Sequence, residues 1–415
     1  MKPAAVFAPA FAAMVMAGPA LAQTEPPKLA EIGSAAAATF TPVGQGGQTA
    51  DDIRRTLDRI NLPEGFRISL YAVVPNARHM AVGPQGKVVI VGTRRDKVWS
   101  VADTNGNGTA DEVKDFAPGI AFTMPNGPCF SPDGFLYLAE QNRVLVFPGA
   151  EYLFEKPDIA AFAVVPEGEL VPPAEQSGGH SARTCQIGPD GKLYITLGQP
   201  YNVSPKDKLA LYDALGIGGI IRLNTDGTGR EVYTRGLRNS VGMDFNPANG
   251  ELWFTDNQVD RMGDDIPPGE LNRQTAAGQH FGFPWFGGGA VRTNEYKGEE
   301  PPAGVIFPAV EMVAHAADLG MTFYTGRQFP AQYRGGIFSA QHGSWNRSTP
   351  VGARVMFTPV NPDGSAGETV VFADGWLSPG GGYLGRPVDV AQLPDGSLLV
   401  SDDKAGALYR ISYGK

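Results

Sequence analysis

The chain has 415 residues, among them 54 Gly and 35 Pro, with aromatics at 10% and charged residues at only 19%. That composition describes many short strands joined by tight turns rather than helices, and the length suits one closed all-β unit. A formal net charge of -9 leaves no basic stripe to follow a phosphate backbone, which excludes nucleic acid as a partner and disfavours anionic membranes.

Residues 1–22 run from Met-Lys through an apolar Ala/Phe/Val/Met stretch to Ala20-Leu21-Ala22, the pattern of a secretory signal cleaved after Ala22. The apolar stretch is short and interrupted by Pro, so no permanent membrane span is expected. The mature protein is expected to be periplasmic and to begin near Gln23. Residues 23–50 are poor in bulky apolar side chains and read as a flexible linker. A short amphipathic helix, Asp51 to Ile60, is expected next, and 51–415 is expected to form a single catalytic domain.

One phrase then recurs six times: GPQGKVVIV (83–91), SPDGFLYLA (131–139), GPDGKLYIT (188–196), NPANGELWFT (246–255), RGGIFSA (334–340, the weakest) and LPDGSLLVS (393–401). In its full form a Pro/Asp/Gly turn precedes an apolar or β-branched run, which is a hairpin signal. A second strand of similar type follows each: DKVWSV, NRVLVF, GIIRLN, GELNRQ, ARVMFT and ALYRIS. Six such units predict an all-β, six-bladed β-propeller. Unequal spacing places long insertions at 149–180 and 276–315, where a rigid scaffold carries functional surface.

The two cysteines each precede a repeat turn, Cys129 four residues before Asp133 and Cys185 five before Asp190. Alternation along a strand then points them to different faces, so two unpaired core cysteines are expected, with a disulfide as the alternative in an oxidising compartment. There is no C-x-x-C-H and hence no covalently attached c-type haem. GIGGII (216–221) lacks the third glycine and the helix of a dinucleotide loop, and no Gly-x-Ser-x-Gly elbow is present.

Just upstream of each turn phrase the innermost strand begins at the mouth of the central channel. The segments there are PNARHM (75–80), MPNG (124–127), GGHSART (178–184), GLRNSVG (236–242), HAADLG (315–320) and LGRPVDV (385–390). Polar and charged residues recur where a purely structural strand start does not need them.

Here the chain resembles the glucose/sorbosone dehydrogenase family, soluble propellers that use pyrroloquinoline quinone (PQQ), and most of all its L-sorbosone dehydrogenase-like branch. The phrases LPEGFRISLYA, VPNARHMAVGP, GGHSARTCQIGPDGKLYITLG, RGLRNSVGMDFNPANGELWFTDN, GDDIPPGELNR, GQHFGFPW, QHGSWNRS and GRPVDVAQLPDGSLLVSDDKAGALYRI carry the resemblance from Leu62 to Tyr413. It implies His180 as the general base on the sugar hydroxyl while hydride passes to the quinone; the competing reading is a flexible surface-loop histidine. It implies Arg238 and Asn239 at the quinone edge, Arg238 as the polarising donor, against an Arg that closes an inter-blade ion pair. Arg386 matches a contact to a cofactor carboxylate, and Asp389 either orients it or ties blades together. Arg347 is a looser match to a cationic contact, and Trp345 either stacks on the flat cofactor or packs. His342 is a second acid/base candidate, ahead of His79, His280 and His315.

The resemblance also implies Ca²⁺, held largely by backbone oxygens near the segment matching Asn257, Gln258 and Val259, where quinoprotein glucose dehydrogenases instead read Gln-Gly-Pro. A second oxygen-ligand loop is possible at Asp103, Asn105, Asn107 and Asp111, with Lys114 where a bidentate Glu belongs; the alternative is an ion-free Asn/Gly turn. Asp264 and Asp265 could serve calcium, sugar hydroxyls or solubility. The implied function is PQQ-dependent oxidation of L-sorbosone or an aldose to an acid or lactone, with electrons leaving to a separate quinone or cytochrome. The rivals are a metal-dependent lactonase, which needs a carboxylate-rich channel, and a non-catalytic binding propeller.

Overall fold

The computed structural model describes residue 1, residues 30–32 and residues 38–414, so the expected signal over 1–22 lies outside the described residues apart from Met1. Blade 1 consists of Met80–Val82, Val89–Val91, Trp99–Ala102 and Glu112–Asp115. Blade 2 is Gly127–Phe130, Leu136–Ala139, Val144–Phe147 and Ala161–Val165, with Ala30–Ile32 added at its outer edge. Blade 3 is Cys185–Ile187, Leu193–Leu197, Gly219–Leu223 and Glu231–Thr234; blade 4 is Gly242–Phe245, Leu252–Asp256, Gly269–Gln274 and Val310–Met312. Blade 5 is Asp318–Phe323, Ile337–Gln341, Arg354–Thr358 and Val370–Ala373. Blade 6 is Pro387–Gln392, Leu398–Asp402, Ala407–Tyr413 and Phe66–Val73. The innermost strands contact one another around the ring, and the sixth returns to the first. The protein is the expected six-bladed β-propeller.

The repeated phrase builds this directly. Gly86, Gly134, Gly191, Gly250 and Gly396 have φ between 72° and 88°, the left-handed region that glycine enters without a Cβ penalty, and Gly335 does the same in the weak fifth unit. Each turn joins a first strand to a second, so all six lie at one end of the ring. The entries to the first strands, and the links between second and third strands, gather at the other end, the mouth. The second strands are buried throughout because another blade covers each face, which is why they read as unbroken apolar runs.

Ring closure comes from the two ends of the domain. Phe66–Val73 pairs antiparallel with Ala407–Tyr413, in register from Phe66↔Tyr413 to Val73↔Ala407. Phe66 sits edge-on to Phe329, Tyr333, Phe372 and Tyr413 with ring centroids 4.7 to 5.3 Å apart, each pair contributing about 0.5–1.5 kcal/mol beyond simple burial. The helix expected over 51–60 runs over Gln48–Leu57, starting three residues earlier because Gly47 at φ 79° caps it there, and it buries Ala50, Ile53 and Leu57 on this core. Residues 38–47, expected within the linker, are fastened to the ring: Val43 N–H donates to Val113 O at 2.8 Å, and Gln45 exchanges bonds with Val73 at 3.1 and 2.8 Å.

The cysteine expectation is corrected. Cys129 and Cys185 form a disulfide across a Cα–Cα distance of 5.6 Å. The expectation fails because it treats the two strands as one surface. Adjacent blades stack front to back, so residues on opposite faces of neighbouring first strands point at each other.

Candidate active site

His180 lies in the entry to blade 3 with φ 48°, uncommon for a residue with a side chain. It is held on two sides, with Arg183 Nη1 donating to its carbonyl at 3.1 Å and its own Nδ1 2.7 Å from Gln199 O. A carbonyl only accepts, so Nδ1 carries the proton and Nε2 keeps a bare lone pair with no protein partner among the described residues. Burial first, then the positive charge of Arg238, lowers the imidazole pKa to about 4, with the Gln199 bond opposing and Arg94 and Arg183 reinforcing. The ring is therefore neutral at pH 7.

Asn239 stands beside it. A Cβ added to Gly198 would lie 2.4 Å from both Asn239 Oδ1 and His180 O, so the glycine is what lets the two approach. Asn239 Oδ1 is buried without a partner, an acceptor left open next to the base. Asp256 accepts the backbone N–H groups of Arg238, Asn239 and Asn257 at 2.9, 2.7 and 3.0 Å, bracketing the two lead segments from below. Its cross-strand neighbour Glu270 is equally buried; desolvation raises both carboxyls, and the nearby charge of Asp256 raises Glu270 further.

Arg238, 3% exposed, spends its guanidinium on protein: Nε to Asn202 O at 3.0 Å, Nη2 to Asn202 Oδ1 and Asp260 at 2.8 and 2.7 Å, Nη1 to Asn257 O at 3.4 Å. Four of its N–H groups are thus engaged, and it acts on His180 chiefly as a fixed charge. Asn257 gives its amide to Asn239 O and Asp318 O, Gln258 turns its amide to His315 Nδ1, and Val259 is buried with its N–H on Gly287 O. Only Gln258 Oε1 is an open buried side-chain oxygen in that segment. The side chains of these three residues thus offer calcium one free oxygen, and no three His, Cys, Asp or Glu side chains cluster as a metal site among the described residues.

The mouth opens between blades 1, 5 and 6 into a cavity of about 540 Å³ walled by Arg78, Arg94, Arg95, Arg386 and Lys404, with Asp403 as its carboxylate. Asp403 bridges His342 Nε2 at 2.8 Å and Arg78 Nη1 at 2.7 Å, and both partners hold it below the usual carboxylate range against the effect of burial. Arg386 bonds His342 O and Gly343 O at 3.0 and 2.5 Å and lies over the Tyr383 ring at 4.9 Å. Arg95 and Lys404 enter none of the ion pairs among the described residues, and Arg94 donates only to Gly178 O, at 3.1 Å, two residues before His180.

Of the sequence candidates, His180, Arg238, Asn239, Asn257, Arg386 and His342 thus converge on the mouth. Arg347 does not join the basic wall: it bonds Asp265 at 3.1 Å, together with Asp264 O and Ala314 O, lashing its loop to the Asp264–Asp265 loop. Trp345 is 63% exposed on the rim with Arg261 5.8 Å from its ring centre. Asp389 takes the Met80 N–H at 2.8 Å and ties blade 6 to blade 1, the structural alternative. His79 and His315 hold backbone carbonyls. In the Asp103–Asp111 loop the oxygens accept N–H groups of the loop itself, the arrangement of a self-closed turn. Sequence reading missed Arg94, Arg95, Asp403 and Lys404, although GTRRDK and SDDKAG follow second strands and so had to reach the same mouth.

The net-acidic chain thus gathers five cations around one cavity, one of which, Arg94, also acts on the neutral His180. The comparisons place it. A family model for glucose/sorbosone dehydrogenases matches residues 168–410. An uncharacterized protein of Borreliella burgdorferi is 36% identical over 389 residues, 88% of this chain and 93% of that protein. The chain belongs to the glucose/sorbosone dehydrogenase family, as the motifs implied. The aldose sugar dehydrogenase YliI of Escherichia coli is 27% identical over 265 residues, 58% of this chain and 62% of that enzyme, so less than two thirds of that relative is matched. The holo form of the pyranose dehydrogenase PQQ domain of Coprinopsis cinerea superposes with a TM-score of 0.67 at 19% identity, covering 85% of this chain and 97% of that one. The soluble aldose sugar dehydrogenase of Escherichia coli in its apo form gives 0.59 at 19%, with 84% and 99% covered. At these identities the structural likeness is one of fold. Arg78, Arg94 and Arg95 lie outside the segment that the family model matches.

Proposed function

We propose that this protein oxidises a sugar aldehyde or hemiacetal, L-sorbosone or an aldose, to the acid or lactone, using PQQ held at the basic mouth. The observation that carries the reading is the bare Nε2 of His180, on whose imidazole the charge of Arg94 acts, while Arg94 also walls a cavity with Arg78, Arg95, Arg386 and Lys404. PQQ, a planar tricarboxylate, supplies a quinone that accepts hydride. Arg94, Arg95 and Lys404, whose charges are otherwise unspent, fit its carboxylates, with the remaining N–H groups of Arg78 and Arg386 beside them. His180 Nε2 takes the proton of the sugar hydroxyl while the Gln199 carbonyl keeps the imidazole turned to it. Neutralising Arg94 with an anion removes one cause of the depressed His180 pKa, which strengthens the base once the cofactor is bound.

Calcium, implied at Asn257 to Val259, finds one open side-chain oxygen there, and no step of this mechanism runs through it. Periplasmic export is part of the proposal and is supported by the Cys129–Cys185 disulfide, a bond characteristic of oxidising compartments. Loading the purified chain with PQQ and following dye-linked oxidation of a sugar panel tests the function. Bleaching by one sugar is expected; failure to bind PQQ at micromolar concentration ends the proposal.

A further inference from the structure

A second cavity, of about 330 Å³, lies on the flank between blades 3 and 4, beneath the helix Leu209–Leu215. Its volume is that of a small-molecule site. The walls are mainly apolar, formed by Leu209, Ile217, Val232, Leu237, Phe283 and Trp285. Of the polar side chains that also line it, Ser204 is bonded to Gln199, Tyr212 to Glu175, Thr234 to Gln274 and Arg235 to Asp213, whereas His280 keeps one ring nitrogen free. His280 Nδ1 accepts the Gly282 N–H at 3.0 Å, so the ring hydrogen resides on Nε2, a donor with no protein partner among the described residues. Burial lowers its pKa to about 4, which keeps it a neutral single donor. The ring can occupy this place only because residue 236 is glycine: a Cβ there would come 2.2 Å from His280 Cε1. Trp285 meets the imidazole edge-on at 5.8 Å, and Arg235, fixed to Asp213 at 2.5 Å, stands at the entrance.

The cavity adjoins the active site through a single stretch of chain. Gly236 and Leu237 line it, and the next two residues, Arg238 and Asn239, belong to the mouth. A sugar, with hydroxyls in every direction, finds too few partners on such walls, and a nucleotide finds no phosphate cradle. The match is a flat, largely apolar ring with a carbonyl acceptor. The PQQ reading creates a need for such a molecule, because the chain encodes no haem motif to carry electrons away.

We propose that this flank cavity binds a small benzoquinone-type electron acceptor, its ring between the apolar walls and one carbonyl oxygen on His280 Nε2–H. The role, though not the binding itself, rests on the PQQ function proposed above. The reaction balances: two electrons and two protons leave the reduced cofactor, the quinone takes them to become a hydroquinone, and the oxidised cofactor is restored.

The test uses 2,3-dimethoxy-5-methyl-1,4-benzoquinone and the full chain without PQQ, with binding measured by titration calorimetry. Neither cysteine is a free thiol that the quinone could alkylate. Saturable one-to-one binding is expected, weakened about tenfold or more by Leu209→Trp and by Val232→Trp, which fill the cavity from its helix and strand walls. Melting curves select variants that remain folded, and Leu209, half-exposed on its helix, tolerates the change best. In the PQQ-loaded enzyme, Leu209→Trp raises KM for the quinone while turnover with a hydrophilic dye is retained. Absence of saturable binding, or binding that both folded variants leave intact, overturns the proposal. Loss of sugar oxidation alone overturns the cofactor reading and leaves the cavity result standing.

Discussion

His180 and His280 are the same side chain under the same pressure, and they end with opposite chemistry. Both are neutral because burial depresses their pKa to about 4, and both engage Nδ1 with the backbone. At His180 the partner is a carbonyl, so Nε2 is left as a base; at His280 it is an N–H, so Nε2 is left as a donor. The identity of one backbone group decides whether an imidazole can take a proton or only offer one. Glycines set both pairs: Gly198 admits Asn239 beside His180, and Gly236 makes room for the His280 ring.

The strongest way to break the contrast is His180→Ala. It removes the only side chain of the pair able to accept a proton, and kcat for sugar oxidation in the PQQ-loaded enzyme is expected to fall about 10²–10⁴-fold with the melting temperature kept. A loss no larger than a few fold assigns the base elsewhere. Next comes the tether. Cys185 follows His180 by five residues and is bonded to Cys129 across 56 residues of chain, whereas the His280 loop has no covalent anchor. Cys129→Ser is expected to cost about 4 kcal/mol in denaturant unfolding, and reduction of the parent protein should reproduce it. If the two lose nothing, loop closure in the unfolded chain contributes no stability here.

Gly198→Ala sharpens the comparison without touching either imidazole. The new methyl meets His180 O and Asn239 Oδ1 at 2.4 Å and must displace them; a drop of about 10²-fold in kcat with smaller change in PQQ affinity is expected from the lost alignment. The smallest effect is on pH. With a depressed His180, the acid limb of the kcat/KM profile should lie between about 4 and the ordinary imidazole value of about 6.5, instead of at the latter. Stability has the same sign. Between about 4 and 6.5 the unfolded chain binds the protons that both buried histidines refuse, so stability rises with pH across that window and is lost on acidification. The difference in unfolding midpoint between the parent and His180→Ala, measured from pH 4 to 7, isolates the imidazole from other groups, and a difference that does not change with pH would contradict a neutral buried His180. Asp318 and Asp389 act oppositely: burial raises both to about 7, so their contribution is present at low pH and is lost as pH rises through that value.

The fold was legible because its signal repeats. Each turn glycine and the buried run after it specify a first and second strand locally, and six copies determine the ring. The closing strand Phe66–Val73 was not legible, since its partner is more than 330 residues away in sequence and nothing in either strand announces the other. Half of the site was legible as well. His180, Arg238, Asn239 and Arg386 sit where first strands begin, the place the repeat marks. Arg94, Arg95, Asp403 and Lys404 come from links between second and third strands, which carry no repeat signature, and Arg347 was drawn away by Asp264 and Asp265, which only packing brings near.

By itself the sequence determined the number of blades, the end of the ring at which they present polar residues, and the family, since these depend on local turns, alternation and motifs. The tertiary structure alone decided that Cys129 meets Cys185, that five cations surround one cavity, and that two histidines of equal pKa face their surroundings with opposite nitrogens. Those outcomes depend on which blade lies against which and on which backbone group is within 3 Å of a ring, and neither is encoded in the order of neighbouring residues.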